Sequence, residues 1–156
     1  MRCLIPLALL LLAPSGCSPG AVSGSNAVGV LAVVPLTVQT TKGAVKLKVE
    51  VARTAEEQAR GLMFRESLRA DGGMIFPMVP PRHASFWMKN TVMSLDMIFI
   101  RPDRTIARIE PETIPHSLDP VISGEPVSAV LELSAGRAAE LGISEGDRVI
   151  WDDKAN

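Results

Sequence analysis

Residues Ser85 to Ile100, which read SFWMKNTVMSLDMIFI, are the most apolar part of the chain after its N-terminus. In an extended strand over the last part of this stretch, Leu95, Met97 and Phe99 lie on one face. Asp96 lies on the opposite face together with two isoleucines. The turn sequence Arg-Pro-Asp-Arg and a second apolar run follow. The pattern therefore predicts a hairpin with strands at residues 95–100 and 105–110.

The same kind of alternation predicts the rest of the fold. Further strands are expected at residues 36–40, 44–51, 74–76, 127–133 and 148–151, and short helices are expected to start at Thr54 and Ser134. We expect Pro77, Pro80 and Pro81 to end the strand that begins at Met74. Many short strands with two short helices predict an α+β domain, built on a small, curled, mainly antiparallel β-sheet or β-barrel.

The N-terminus has the features of an export signal. Arg2 precedes an apolar run that is too short to span a bilayer, and small residues lead to Cys17. This segment resembles a bacterial lipoprotein signal, although Pro14 stands where an aliphatic residue is usual. We therefore predict a signal peptide over residues 1–17, a flexible tether over 18–34 and a single globular domain over 35–152. The protein is expected to be exported and periplasmic, or membrane-anchored by lipid at Cys17.

Composition excludes several classes of function. The chain of 156 residues has a net charge of -1, which offers no general attraction to nucleic acid or to anionic lipid. The predicted domain has no cysteine, and the chain has two histidines, so a zinc site is not expected. The Gly-x-Ser-x-Gly signature of many hydrolases is missing too. We expect a monomer without cofactor, metal or nucleic-acid partner, attached to a membrane only through its lipid.

Lys89, Asn90 and Asp96 form a polar trio within the apolar stretch. Lys89 and Asp96 could meet across a turn as a partly buried ion pair, with Asn90 bonding to free backbone groups of the turn. Alternatively, the trio forms a polar floor beneath Trp87 that suits a sugar or an anionic metabolite. The structural interpretation is favoured, because an ion pair and a turn explain all three residues.

A group of arginines surrounds the first predicted helix and the proline-rich segment: Arg60, Arg65, Arg69 and Arg82. Guanidinium groups bind carboxylates and phosphates through paired hydrogen bonds, so these residues could form an anion site. A solvated surface explains most of them equally well. Arg65 is the candidate we retain, because it follows the apolar run Leu62–Phe64.

Glu132 and Asp96 are candidates for a pair of carboxyl groups that would hydrolyse an envelope glycan. Glu132 could equally cap the turn at Gly136 or pair with Arg148.

Methionine is concentrated in one part of the chain, at Met63, Met74, Met78, Met88, Met93 and Met97. Together with His83, thioether groups could bind Cu(I). Core packing is the favoured interpretation, because these residues occupy positions that strands would bury.

Four segments resemble a known family. They are Gly61-Leu-Met-Phe-Arg65, Gly73-Met-Ile-Phe76, Phe86-Trp-Met-Lys-Asn-Thr91 with Leu95-Asp96, and Val130-Leu-Glu-Leu133 with Gly136. On these residues the chain is identified as similar to the bacterial and archaeal domain of unknown function 192. Ser94 replaces the proline that usually precedes the Leu-Asp pair. The resemblance implies a compact single domain, often exported, with no established activity, cofactor or catalytic residue.

The function expected from the sequence is non-enzymatic binding of a small polar or anionic ligand or an envelope component. The candidate ligand-binding residues are Arg65, Trp87, Lys89, Asn90, Asp96 and Glu132. One alternative is the glycan hydrolase described above. Another is a protein-interaction module, for which an exposed apolar patch around Met78 and Pro80–Pro81 would be the sign.

Overall fold

A computed structural model describes residues 30–152 of the chain. Cys17, the predicted signal peptide and most of the predicted tether therefore lie outside the described residues. The first strand begins at Val33, within the range that the sequence assigned to the tether. In the described part of the chain, no helix is long and apolar enough to cross a membrane.

Seven strands and two helices make up the domain. In chain order they are β1 (Val33–Thr40), β2 (Gly43–Val51), α1 (Ala55–Arg60), β3 (Gly72–Phe86), β4 (Leu95–Ile100), β5 (Ile106–Glu110), β6 (Val121–Ser134), α2 (Arg137–Leu141) and β7 (Arg148–Trp151). The two hairpins predicted from sequence alternation, β1–β2 and β4–β5, are confirmed. The helix predicted after Thr54 is also confirmed, with Thr54 as its N-cap and a capping box closed by Glu57.

The strands form one sheet in the order β5-β4-β6-β3-β2-β1-β7. All neighbouring strands are antiparallel except β2 and β3, which are parallel. An isolated bridge between Thr105 and Arg148 joins the two ends of the sheet, beside β5 and β7. The predicted class, a curled and mainly antiparallel α+β domain with two short helices, is therefore confirmed.

Both faces of the central strands are apolar. One face contributes to an inner core that draws residues from all seven strands, among them Ile98 and Leu131. The opposite face of β3, β4 and β6 forms an outer core with residues such as Phe76, Met97 and Val130. The period of two along each strand separates the two sets. The outer core is shielded from solvent by the segment after α1, which contributes Leu62, and by the segment between β3 and β4, which contributes Met88.

The prediction that prolines end β3 at residue 77 was wrong. The strand continues to Phe86, and its pairing with β6 shifts register between Pro77 and Arg82 and again between His83 and Ser85. Proline cannot donate to a regular ladder, but it is tolerated at irregular positions where the ladder is interrupted. The prolines therefore bend a long strand instead of ending a short one.

Gly73 allows β3 to lie close to β6. A Cβ atom at this position would lie 2.6 Å from the Glu132 carbonyl oxygen and 2.7 Å from Leu133 Cδ2. These distances are too short for any side chain, so only glycine fits without a shift of one strand. The absence of a side chain at Gly73 therefore sets how closely β3 approaches the part of β6 that carries Glu132.

Candidate functional site

A cavity of about 490 Å³ lies over the outer core, between the end of α1, strand β3 and the start of the β3–β4 connection. Its polar and charged lining residues are Gln58, Arg60, Arg82, His83, Ser85, Trp87, Thr91 and Glu132. Its apolar lining residues are Ala59, Gly61, Leu62, Met63, Phe76, Met78, Ala84 and Phe86. The cavity thus combines apolar surface with polar groups, as small-molecule sites commonly do.

Glu132 is the most unusual group in this cavity. The register of the sheet places it on β6 directly between Met74 of β3 and Met97 of β4, on the face of the outer core. Its exposed fraction is 4%, and within residues 30–152 no group forms a hydrogen bond or ion pair with its carboxyl. Burial raises the pKa of Glu132 to about 8. A carboxyl that lacks a protein partner but faces an open cavity has room for a partner from outside.

The wall of the cavity opposite β3 is held in place by α1 and the turn after it. Gln58 Nε2 donates hydrogen bonds to the carbonyl oxygens of Ala52 and Pro77, which ties the helix to β2 and β3. The helix ends at Gly61, whose φ of 47° lies in the left-handed region. A side chain at Gly61 would also contact the Phe76 ring at 3.3 Å. Glycine therefore lets the chain turn tightly over that ring.

Asn90 connects this wall to the β3–β4 connection. Its φ of 57° is left-handed, a conformation that asparagine tolerates better than most residues. Its carbonyl oxygen accepts a hydrogen bond of 2.8 Å from the Phe64 N–H, and its Nδ2 contacts Met63 Sδ at 3.8 Å. Asn90 thus acts beside the cavity, by holding Met63 in the lining, and is not itself a lining residue.

Trp87 lies at the mouth of the cavity with 51% of its surface exposed. Lys89 Nζ is 5.2 Å from the centre of the Trp87 ring, a cation–π geometry. The structure therefore brings Trp87 and Glu132 into one site, with Lys89 at its edge.

The predicted ion pair between Lys89 and Asp96 is absent. Asp96 is fully buried, and its carboxylate accepts three backbone hydrogen bonds of 3.0, 3.0 and 2.8 Å from the N–H groups of Glu112, Gly136 and Ala138. These donors satisfy the carboxylate and cap the first turn of α2. The prediction was wrong because the partners of Asp96 come from distant backbone segments and not from the neighbouring turn.

Asp96 and Glu132 do not form the pair that a glycan hydrolase would need. Asp96 is paired with Leu133 in the sheet, whereas Glu132 is paired with Met97. Adjacent positions of a strand point to opposite faces, so the two carboxyl groups lie on opposite sides of the sheet. Glu132 also does not cap Gly136, whose N–H donates to Asp96.

Arg65 lies outside the cavity lining. Its guanidinium donates two hydrogen bonds, of 2.5 and 2.7 Å, to the two carboxylate oxygens of Glu50 on β2. The hydrogen-bonded Glu50 raises the pKa of Arg65 further above its usual value. A bidentate pair of this kind fastens the turn after α1 to the sheet. Arg65 therefore has a structural role in its pair with Glu50. It does not line the cavity that contains Trp87 and Glu132.

The methionines mainly fill the outer core. Met74, Met78, Met88 and Met97 are buried there, Met93 packs against it, and Met63 faces the cavity. Across residues 30–152, no cluster of three or more His, Cys, Asp or Glu side chains could hold a metal ion. The burial of Met78 also removes it from the apolar patch expected of an interaction module, although the adjacent Val79 is 87% exposed.

Several lining residues were not predicted as site residues. Arg60 and Arg82 were considered in the sequence but interpreted as solvated surface. Phe76, Phe86 and Thr91 carried no separate signal, because each is ordinary for a strand or a turn. The available signal was the set of four family-like segments, three of which contribute to the cavity lining together with Glu132 of the fourth.

Comparisons with known proteins follow the same segments. Residues 37–151 match the family described as DUF192, Uncharacterized ACR. A solved structure of a protein of unknown function from Novosphingobium aromaticivorans is 43% identical with a TM-score of 0.77, covering 88% of this chain and 100% of that one. A second, from Sinorhizobium meliloti and provisionally described as a transcription regulator, is 40% identical with a TM-score of 0.75, covering 78% of this chain and 95% of that one. No curated protein matches the chain. The family match spans most of the chain and both structures share the fold, so the chain belongs to the DUF192 family.

Proposed function

We propose that this domain is a non-enzymatic binding protein that takes a small molecule into the cavity above the outer core. The observation that carries the proposal is Glu132, a buried carboxyl without a protein partner that faces the cavity. A buried polar group without a hydrogen bond destabilises the fold by about 1–3 kcal/mol. A ligand that supplies the missing bond recovers that free energy, which favours binding over the empty state.

Shape and size support the proposal. The cavity volume of about 490 Å³ lies within the range of roughly 300–1,000 Å³ that is usual for small-molecule sites. Trp87 at the mouth provides an exposed aromatic surface, and Glu132 provides a polar anchor at depth, where Thr91 is also buried in the lining. An envelope glycan fits less well, because a sugar carries hydroxyl groups on all sides and the buried apolar residues Leu62, Phe76 and Met78 would leave some of them without hydrogen bonds.

A thermal shift screen of polar metabolites tests the proposal. A compound that binds the cavity, present at about ten times its Kd, should raise the Tm by about 5 °C. In a ¹⁵N-labelled sample the same compound should shift the amide signals of Gly61, Ala84 and Thr91, which line the cavity. The amides of Gly43 and Gly146, in turns outside the lining, provide the control. A screen without any hit, or hits that leave the lining amides unshifted, would contradict cavity binding.

Nucleic acid is an alternative partner, because the Sinorhizobium protein is provisionally described as a transcription regulator. DNA binding depends on clustered cations that neutralise phosphates. Here Arg65, Arg69 and Arg137 each form an ion pair with a carboxylate, and the net charge of the chain is -1. These features favour a small molecule over a nucleic acid as the partner.

We also propose that the domain works outside the cytoplasm, anchored by lipid at Cys17. The support is the N-terminal sequence alone, with its charge at Arg2, apolar run and small residues before the cysteine. Fractionation of bacteria that express the full chain tests this proposal. The wild-type protein should be in the membrane fraction, and Cys17→Ser should be in the soluble periplasm or accumulate unprocessed. Recovery of both proteins from the cytoplasm would overturn export, whereas recovery of both from the soluble periplasm would overturn only the lipid anchor.

A further inference from the structure

The distribution of charge in the cavity distinguishes its floor from its mouth. Four titratable residues line it: Glu132 from β6, Arg60 from the end of α1, and Arg82 and His83 from β3. Glu132 is buried, whereas both arginines and His83 are exposed. Arg82 Nη2 lies 3.3 Å from Gln58 Oε1, which directs its guanidinium along the rim. The cavity therefore has a carboxyl at its floor and cations at its mouth.

We propose, on the basis of the binding function above, that the ligand carries an amine or guanidinium group that docks on Glu132, and an anionic group that meets the arginines at the mouth. Between them the ligand has an apolar body. In chemical class it is an amino acid or another zwitterion of similar length.

A cationic group matches the floor better than a neutral one. A charged hydrogen bond to a carboxylate is roughly twice as strong as a neutral bond, and the burial of Glu132 strengthens it further. The other buried residues of the lining are apolar except for Thr91, and they are Leu62, Phe76, Met78 and Ala84. A compact cation therefore places little ligand polar surface against these apolar residues.

The mouth selects against a ligand that has only a cation. Arg60 and Arg82 would repel a second positive charge at the rim, and Lys89 Nζ lies 5.2 Å from the centre of the Trp87 ring. A carboxylate or phosphate at the far end of the ligand removes this repulsion and can form paired hydrogen bonds with a guanidinium. An anionic group at the floor could accept one hydrogen bond from the neutral Glu132 carboxyl, but it would lie away from the arginines at the mouth.

Docking of a cation should also change the protonation of Glu132. Because burial raises the pKa of this carboxyl to about 8, it is mostly protonated at pH 7 in the empty cavity. A positive charge beside it favours the ionised form, so a proton leaves as the ligand binds.

A series of ligands with one shared alkyl chain tests the inference. The ligands are aminohexanoate, hexylamine, hexanoate and hexanol, each titrated against the full chain by NMR at pH 7. We expect aminohexanoate to bind at least tenfold more tightly than hexanoate, with hexylamine between them. Glu132→Gln should weaken aminohexanoate and hexylamine at least tenfold and leave hexanol unchanged. Glu66→Gln, which removes an exposed carboxylate elsewhere, should change none of these affinities.

Calorimetry of the wild-type protein gives a second readout that needs no variant. In two buffers with different ionisation enthalpies, aminohexanoate should release close to one proton per molecule bound, and hexanol should release none. Preferred binding of hexanoate or hexanol, equal amine binding by Glu132→Gln, or amine binding without proton release would overturn the inference. Binding of none of the four would overturn it as well. Cavity binding itself would stand if the metabolite screen finds compounds that shift the lining amides, and would fall if it finds none.

Discussion

The free energy of unfolding should fall by about 4 kcal/mol between pH 5 and pH 9 through Glu132 alone, and Glu132→Gln should remove this part of the pH dependence. Burial among Met74, Met97 and the cavity walls raises the pKa of the Glu132 carboxyl to about 8, from an ordinary value of 4.5. Only 4% of Glu132 is exposed, so solvent screening reduces the effect little.

The sign follows from proton binding in the two states. Between pH 4.5 and about 8 the unfolded chain has lost the Glu132 proton while the native protein retains it. The native state then binds more protons, so raising the pH favours unfolding over this range. Below pH 4.5 both states are protonated and the penalty is absent, and above pH 8 it is constant. This direction is opposite to that of a carboxylate stabilised by an ion pair.

Urea denaturation of wild type and Glu132→Gln at several pH values between 5 and 9 measures the effect. Glutamine has nearly the same shape and carries no charge, so the two proteins should be about equally stable at pH 5 and should diverge as the pH rises. Glu66→Gln is the matched control, because Glu66 is exposed, and its pH profile should follow wild type. Parallel profiles for wild type and Glu132→Gln would show that the carboxyl has a partner in solution.

Local patterns predicted most of the fold. The hairpins β1–β2 and β4–β5 and the cap of α1 depend on residues that are close in sequence, and alternation or spacing is enough to identify them. Strand β3 was predicted too short because its continuation past Pro77 depends on register shifts against β6. Those shifts are a property of two strands together, which a single segment does not encode.

The site was harder to predict because its residues take their roles from distant partners. Asp96 and Glu132 are both acidic residues within apolar strands, and they are similar in sequence context. Asp96 receives backbone donors that are 16, 40 and 42 positions away, whereas Glu132 receives none. The pairing of β4 with β6 then sends the two side chains to opposite faces. Only the assembled sheet separates the structural carboxylate from the cavity carboxyl.

Asp96→Ala should destabilise the domain by about 4 kcal/mol, whereas Lys89→Ala should change stability by about 0.5 kcal/mol or less. The alanine leaves the N–H groups of Glu112, Gly136 and Ala138 without their acceptor in a buried site. Each buried donor without a partner is unfavourable by about 1–3 kcal/mol, with some relief if water enters. Lys89 is exposed and loses only its contact with Trp87.

The double variant separates this role of Asp96 from an ion pair with Lys89. If the two residues act independently, the effects of Lys89→Ala and Asp96→Ala should add within about 0.5 kcal/mol. Partial recovery of stability in the double variant would instead show that the two charges interact.

Asp96→Asn is a further comparison, because its amide oxygen can still accept from some donors while its NH₂ group opposes another. It should therefore lose about 2 kcal/mol, between wild type and alanine. Urea denaturation at pH 7 measures wild type and the four variants. A loss below about 1 kcal/mol for Asp96→Ala would contradict the assignment of Asp96 as the residue that joins β4, the segment after β5 and α2.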